Sequence, residues 1–289
     1  MNIKLNFSKI VGTNFVLSVA EGIIMLSVIR TGLDAATREI AVVSNNIANS
    51  AATGFKKSFS SFEDQYTENL TSTVNDQVGR GTRFVAPRRM HSQGALKQTG
   101  SALDLAVVGQ GMFVLNTLPQ TGNTSFTRDG SINISATGQL VNSDGIAYLG
   151  TNEANTTQFP IQLPFTRISE DGIEQRLTKV EVDPSGKIMG TYGLKENVFI
   201  AQVLMAKFTN ESRLKQVSNG LYEANNGSGF PTYGVGQAQG FGQIQAGAIE
   251  TSNIDITTEL STLIRAQQAF NGNAKLLQAE NKVLSGLMK

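Results

Sequence analysis

The sequence predicts an α+β fold: helices from the two ends of the chain form a discontinuous coiled-coil domain, with a central antiparallel β-rich domain between them. Three observations predict it. Apolar residues recur at heptad spacing near both termini, the long middle stretch alternates with period two between Asp-Gly and Thr-Gly turns, and no helical periodicity interrupts that stretch.

The first 24 residues stand apart. Lys4 and Lys9 precede the apolar "IVGTNFVLSVA", which ends on a small-x-Ala pattern before Glu21. Three readings fit: a stretch upstream of a true start at Met25, an added structural segment, or a secretory signal. From Leu26 the apolar positions run Leu26, Ile29, Leu33, Ala36, Ile40, Val43 and Ile47, in steps of three and four. This narrow stripe predicts a helix that needs a partner helix. "NNIANSAATGFKK" follows, where Asn45, Asn46 and Asn49 suit a helix end and Gly54 a left-handed residue. Phe55, Phe59 and Phe62 then recur at four and three, an apolar anchor beyond the helix.

The middle of the chain reads as strands. "ALDLAVVGQGMFVLNT" alternates at Leu103, Leu105 and Val107 and resumes at Met112 and Val114. "FTRDGSINI", "ATGQLVNSDGIAYLG" and "KVEVDPSGKIMGTYG" carry turn signals at Asp129-Gly130, Thr137-Gly138, Asp144-Gly145 and Asp183–Gly186. "ENVFIAQVLMAKF" predicts one long, mostly buried strand. Residues 151–175 form a short insert, and the Gly/Gln-rich 225–247 an ordered loop or hinge. The last helix begins near Asp255 or Thr257, with a seam of Leu260, Leu263, Gln267, Phe270, Ala274, Leu277, Asn281 and Leu284. The expected domains are 25–65 with 250–289, and 66–249.

Composition excludes much chemistry. The chain has 289 residues and no cysteine, so disulfides, zinc thiolates and thiol nucleophiles are out. A single histidine, His91, excludes a multi-histidine metal site within one chain. A net charge of +1 argues for neither nucleic acid nor an anionic membrane as partner. No apolar run reaches the roughly 20 residues that span a bilayer. Charged residues are 16%, against about 25% in soluble domains, a surface poor at keeping molecules apart.

Each candidate motif has a structural explanation. Gly109-Gln110-Gly111 lacks the third glycine and following helix of a nucleotide loop and reads as a strand bend. His91 has no Ser/Asp constellation beside it, and Asp129 and Asp144 occupy turn positions. Arg80, Arg83, Arg88 and Arg89 form a basic cluster without interleaved aromatics, a solvated face or subunit contact. No catalytic, cofactor or metal residues emerge.

Five stretches then carry a resemblance: "SNNIANSAATGFKKSFSSFEDQY", "VGRGTRFVAPRRMHSQGALKQTGSALDLAVVGQGMFVL", "FTRDGSINISATGQLVNSDG", "AKFTNESRLKQVSNGLYEANNGSG" and "GAIETSNIDITTELSTLIRAQQAFNGNAKLLQ". In this order they resemble the bacterial flagellar axial proteins, the rod and hook subunits, over most of Leu26 to Lys289. "GRGTR…HSQGALKQT" and "ETSNID" are closest to distal-rod members, whereas "VDPSGKIMGTYGLKENVFIAQVLMAKF" has a hook-like character. The resemblance implies a non-enzymatic, cofactor-free subunit that polymerises helically into a hollow shaft in the basal body. It implies partners in copies of the same chain, neighbouring rod and hook proteins and the flagellar export apparatus, with no nucleic acid, membrane insertion or cleaved signal. Ile29, Leu33, Ile40, Val43 and Ile47 would then pack on Leu260, Leu263, Phe270, Leu277 and Leu284 as the assembly seam. Asn45, Asn46, Asn49, Gly54 and Phe55 would form the turn joining inner helix to outer layers. The alternatives are a hook-type subunit and a secreted β-rich binding protein.

Overall fold

A computed structural model describes residues 4–68, 77–117, 123–155, 157–168, 172, 174–193, 196–218 and 220–287, with backbone alone at 4–24, 66–68, 77–78, 117, 196, 284 and 287. The architecture is α+β, in two compact units. The first takes Met1–Ala48, Ser58–Arg88 and Asp255–Lys289, the second Asn49–Lys57 and Arg89–Ile254.

In the first unit α1 (Lys4–Ala48) runs without interruption, and β1 (Ser58–Glu68) pairs with β2 (Gln77–Arg89). α2 (Ile256–Leu287) packs along α1. Asp255 caps α2: its carboxylate accepts from the Thr257 amide at 2.9 Å and the Thr258 hydroxyl at 3.0 Å. On α1, Ile29, Ala36 and Val43 are buried one heptad apart, with Leu26, Leu33, Ile40 and Ile47 half-buried beside them. That is the stripe the sequence predicts.

The covered face of α2 is rotated from the expected one. Glu259 and Ala266 are buried and Leu263, Asn273, Ala274 and Leu277 half-buried, while Leu260 is 45% and Phe270 38% exposed. Choosing the most apolar residue at each step misplaces the phase because a polar position is satisfied. Asn46, itself buried, donates to the Glu259 carboxylate at 3.0 Å. The Leu284 side chain lies outside those described.

Phe59 and Phe62 continue no helix, since both lie in β1. Phe62 meets Phe84 of β2, and the Arg38 guanidinium lies over the Phe84 ring, 4.9 Å from its centre.

The second unit holds β3 (Leu96–Gln98), β4 (Leu105–Val108), β5 (Met112–Thr117), β6 (Thr124–Thr127), β7 (Asn133–Ile134), β8 (Leu140–Val141), β9 (Leu149–Thr151), β10 (Gln158–Pro160) and β11 (Thr166–Ile168). It continues with β12 (Glu174–Val182), β13 (Lys187–Tyr192), β14 (Glu196–Val203), β15 (Met205–Lys207), β16 (Lys215–Ser218), β17 (Leu221–Glu223), β18 (Thr232–Gly234), β19 (Gln243–Ala246) and β20 (Ala248–Glu250). One six-stranded sheet has the order β10-β9-β14-β13-β12-β11, another β16-β17-β6-β5-β15-β18; β19 pairs with β4, β20 with β3 and β7 with β8. The predicted insert 151–175 thus supplies two strands to the first sheet.

The unbroken apolar run Met112–Leu115 has a physical reason. Phe113 and Leu115 enter a large core with Leu105, Tyr148, Ile161, Ile188 and Val203, while Met112 and Val114 enter a second core with Phe126, Phe208 and Tyr222. β5 is buried on both faces, so alternation gives way to a continuous hydrophobic strand. "ENVFIAQVLMAKF" divides similarly. It breaks at Leu204 into β14 and β15, with Val203 and Met205 in one core and Leu204 and Ala206 in the other.

Gly130 sits where a side chain has no room: a Cβ there would lie 1.6 Å from the Leu105 carbonyl oxygen. Gly130→Ala is expected to destabilise this unit by about 3 kcal/mol or more, because strand backbone must move. Thermal denaturation checks it; an unchanged midpoint contradicts the close approach.

Candidate functional site

The quoted motifs meet in a buried network of the second unit. Glu250, the last residue of β20, is 1% exposed. Its carboxylate accepts from Lys56 Nζ at 2.5 Å, the Gly94 amide at 2.7 Å and Arg128 at 3.3 Å. Lys56 is wholly buried and donates also to the Ser92 carbonyl at 2.8 Å. Arg128 also donates to the carbonyls of Val107, at 3.2 Å, and Gly109, at 2.7 Å, while its buried Nε has no partner among the described residues. Gln93 ties the same strand bend, accepting from the Gly109 amide at 3.0 Å. "GFKK", "HSQG", "GQG", "TRDG" and "ETSN" are therefore parts of one assembly.

Asn253 adds a second tie. Its side chain accepts from the Lys57 amide at 2.8 Å and donates to the carbonyls of Met90, at 2.8 Å, and Ser92, at 3.1 Å. Gly54 donates its amide to the Glu250 carbonyl at 2.8 Å. Its φ is +64°, and a Cβ there would lie 2.5 Å from the Asp129 amide nitrogen. Both facts demand glycine. Phe55 is buried beneath the Arg89 guanidinium, 5.4 Å from the ring centre, while Arg89 also donates to the Lys56 carbonyl at 2.8 Å.

The signature turn thus divides between the units. Gly54 and Phe55 belong to the buried network, and Gly54 lies beyond the helix end, which comes at Ala48. Asn46 stays in the first unit, where it exchanges two hydrogen bonds with the Ser58 backbone, at 2.7 and 3.0 Å, besides its bond to Glu259. It fastens α1 to the start of β1. Asn49 accepts from the Ala52 amide at 3.2 Å, and Asn45 is exposed. Arg89 is no part of a solvated basic face, whereas Arg83 is, pairing with Glu63 at an exposed position.

The sequence reading missed Lys56, Arg128 and Glu250. A lysine straight after a Gly-Phe turn and a glutamate closing the apolar "GAIE" were the visible signals. Their pairing spans 194 positions and leaves no local trace.

Electrostatics follow from burial. Desolvation pulls the Lys56 ammonium below the usual lysine range, opposed by Glu250. His91 packs edge-on to Tyr222, and desolvation, reinforced by Lys56, Arg128 and Arg89, lowers its pKa to about 3. A histidine kept neutral this way is a poor general base near neutral pH. Burial raises Asp129 and Glu211. Among the described residues no group of three or more His, Cys, Asp or Glu side chains is placed to hold a metal, and no helix is long and apolar enough to cross a membrane. The strand bend at Gly109 and Gly111 is real, with left-handed backbone at both.

Two expectations follow. Glu250→Ala leaves Lys56 and Arg128 as uncompensated buried cations and should cost about 3–5 kcal/mol, whereas Lys56→Met leaves the Arg128–Glu250 pair balanced and should cost clearly less. Urea denaturation of both variants decides the order. His91 is neutral in the fold and protonated below about 6.5 in the unfolded chain, so its contribution to stability is lost as pH falls from about 6.5 toward 3. Asp129 and Glu211 act with the opposite sign on acidification. Comparison with His91→Gln isolates the histidine: the variant should lose less stability between pH 6.5 and 4.5.

Three segments of the chain match known protein families. Residues 26–56 match the family described as flagella basal body rod protein. Residues 106–190 match the flagellar hook protein FlgE/F/G D1 domain, and 245–289 the flagellar basal body rod FlgEFG protein C-terminal domain. The chain is 32% identical to the flagellar basal-body rod protein FlgG of Buchnera aphidicola subsp. Baizongia pistaciae, over 91% of this chain and 97% of that one. Identity to the FlgG of Borreliella burgdorferi is 31%, covering 88% and 93%. The flagellar hook protein FlgE of Salmonella typhimurium is 19% identical, covering 89% and 98%. With identity above 30% across nearly the whole length of such relatives, the chain belongs to the flagellar basal-body rod and hook protein family.

Proposed function

We propose that the protein is a structural, non-enzymatic subunit of the flagellar basal-body rod. It polymerises helically with its own copies and with neighbouring axial proteins into a hollow drive shaft that transmits torque and passes export substrates. The flagellar export apparatus delivers it without a cleaved signal, and neither nucleic acid nor membrane insertion is involved. Identity of 32% to a rod relative against 19% to a hook relative supports rod over hook.

One observation carries the polymer reading. α2 covers one face with α1 yet exposes apolar side chains on both flanks. Ile256, Leu260 and Ile264, four residues apart, are 49%, 45% and 55% exposed. Leu276 and Val283, seven apart and on the opposite flank, are 55% and 57% exposed. A helix packed along α1 that still exposes apolar side chains on both flanks is built for more neighbours. Ile29, Leu33, Ile40, Val43 and Ile47 then form the seam within a chain with Leu263 and Leu277. Leu260 and Phe270 serve contacts between chains. Asn45, Asn46, Asn49, Gly54 and Phe55 set the turn that leads from the inner helix outward.

Ile264→Lys tests this. The monomer should keep its stability to within about 0.5 kcal/mol, as the site is exposed, while rod assembly and swimming fail. Normal swimming by this variant contradicts the assignment of that flank.

A further inference from the structure

A pocket of about 210 Å³ opens in the second unit, lined by Thr151, Asn155, Gln158, Leu204 and Tyr233 and completed by Gly234, Val235 and Ala238. Strand pairing sets which side chains share its side of the sheets. Thr151 of β9 stands opposite Gln158 of β10, so the two lie on one face. Leu149, two residues before Thr151 and therefore on that same face, packs on the second core, the core that holds Leu204. Tyr233 of β18 stands opposite Ala206 of β15, also of that core, and is 39% exposed. A hydroxyl, an amide and an aromatic ring are thereby gathered beside Leu204.

Two features of this pocket lower stability and serve nothing else in the fold. Thr151 is 2% exposed, and its hydroxyl is buried with no hydrogen-bond partner among the described residues. An unmet buried hydroxyl is unfavourable, and Thr151→Val removes that cost while keeping the shape. The only non-glycine residues with left-handed backbone among those described are Asn155, at φ +55°, and Gln237, at φ +61°. Asn155 lines the pocket, and Gln237 sits in the turn between Val235 and Ala238, where the Ala238 amide donates to the Val235 carbonyl at 3.2 Å. Strained backbone of this kind collects at ligand sites.

We propose that the pocket binds a single neutral sugar ring, with Thr151, Asn155 and Gln158 on its hydroxyls and Tyr233 against its C–H face. No charged residue contributes to the lining, so an ion would lose its water without meeting a counter-charge. A purely apolar group would leave the Thr151 hydroxyl unmet. Hydroxyl and amide groups that both donate and accept, set beside a half-exposed tyrosine, suit a molecule with neutral hydroxyls on its rim and an apolar face. The volume is below the roughly 300–1,000 Å³ of sites for drug-sized ligands, which leaves room for one ring. The site lies within one unit of one chain and does not depend on the polymer reading.

The full chain is mixed with glucose, galactose, mannose or N-acetylglucosamine at millimolar concentration and read by saturation-transfer difference NMR. Transfer to the ring protons of at least one sugar is expected. Thr151→Val and Asn155→Gly should each weaken binding of that sugar about fivefold to tenfold, as for one lost hydrogen bond. Their thermal midpoints without sugar should stay or rise, whereas a purely structural role for these groups would lower them. Absence of transfer to all four sugars overturns the proposal, as does binding undiminished in both variants or a midpoint that falls in both. Transfer to the neutral tripeptide Ser-Asn-Gly but to no sugar assigns the pocket to a polypeptide and overturns it as well.

Discussion

A carboxylate and two cations share a space from which water is excluded, and the second unit is organised around that fact. Glu250 is charged, buried and committed to Lys56, Arg128 and the Gly94 amide. Desolvating each ion costs several kcal/mol, recovered only when geometry and remaining hydrogen bonds are complete. Completion needs chain segments far apart in sequence: the turn after α1, the stretch after β2, the end of β6 and the end of β20. None of these pieces is stable alone with its charge buried. The network therefore contributes specificity of arrangement more than raw stability, and the two hydrophobic cores supply the bulk of the favourable burial.

Those cores explain why the network can sit where it does. β5 and the β14–β15 run are apolar on both faces and hold the two cores together. Tyr148 joins the systems, packing edge-on to Phe113 and donating its hydroxyl to the Asp129 carbonyl at 3.0 Å. Arg128, one residue earlier, is thereby placed with its guanidinium on the carbonyls of the Val107–Gly109 bend. Aromatic packing orients the backbone, and the backbone aims the charge.

Much of this was legible in the amino-acid order. The heptad stripe of α1, the strand-rich middle and the turns at Gly138, Gly145 and Gly186 follow from local periodicity and backbone preference. The phase of α2 was not, because a hydrophobicity count places Leu260 inward, whereas Asn46 satisfies Glu259 there. Phe55, Phe59 and Phe62 mimic helical spacing, yet strand pairing decides for Phe59 and Phe62. The signature turn was visible as a motif, but its partner Glu250 is set by folding over most of the chain. Local pattern shows which residues want burial, and only topology shows with whom.

The pairing of α1 with α2 has a temporal consequence. The two helices lie side by side although every β-strand of the chain falls between them in sequence. Closing so large a loop carries an entropic cost that grows only slowly, about 0.6 kcal/mol per doubling of length, but the contact cannot form before the last residues exist. In the nascent polypeptide α1 emerges first and must wait, its stripe unmatched, until α2 arrives. That interval is when a neighbour's helix has its best opportunity to take the vacant place.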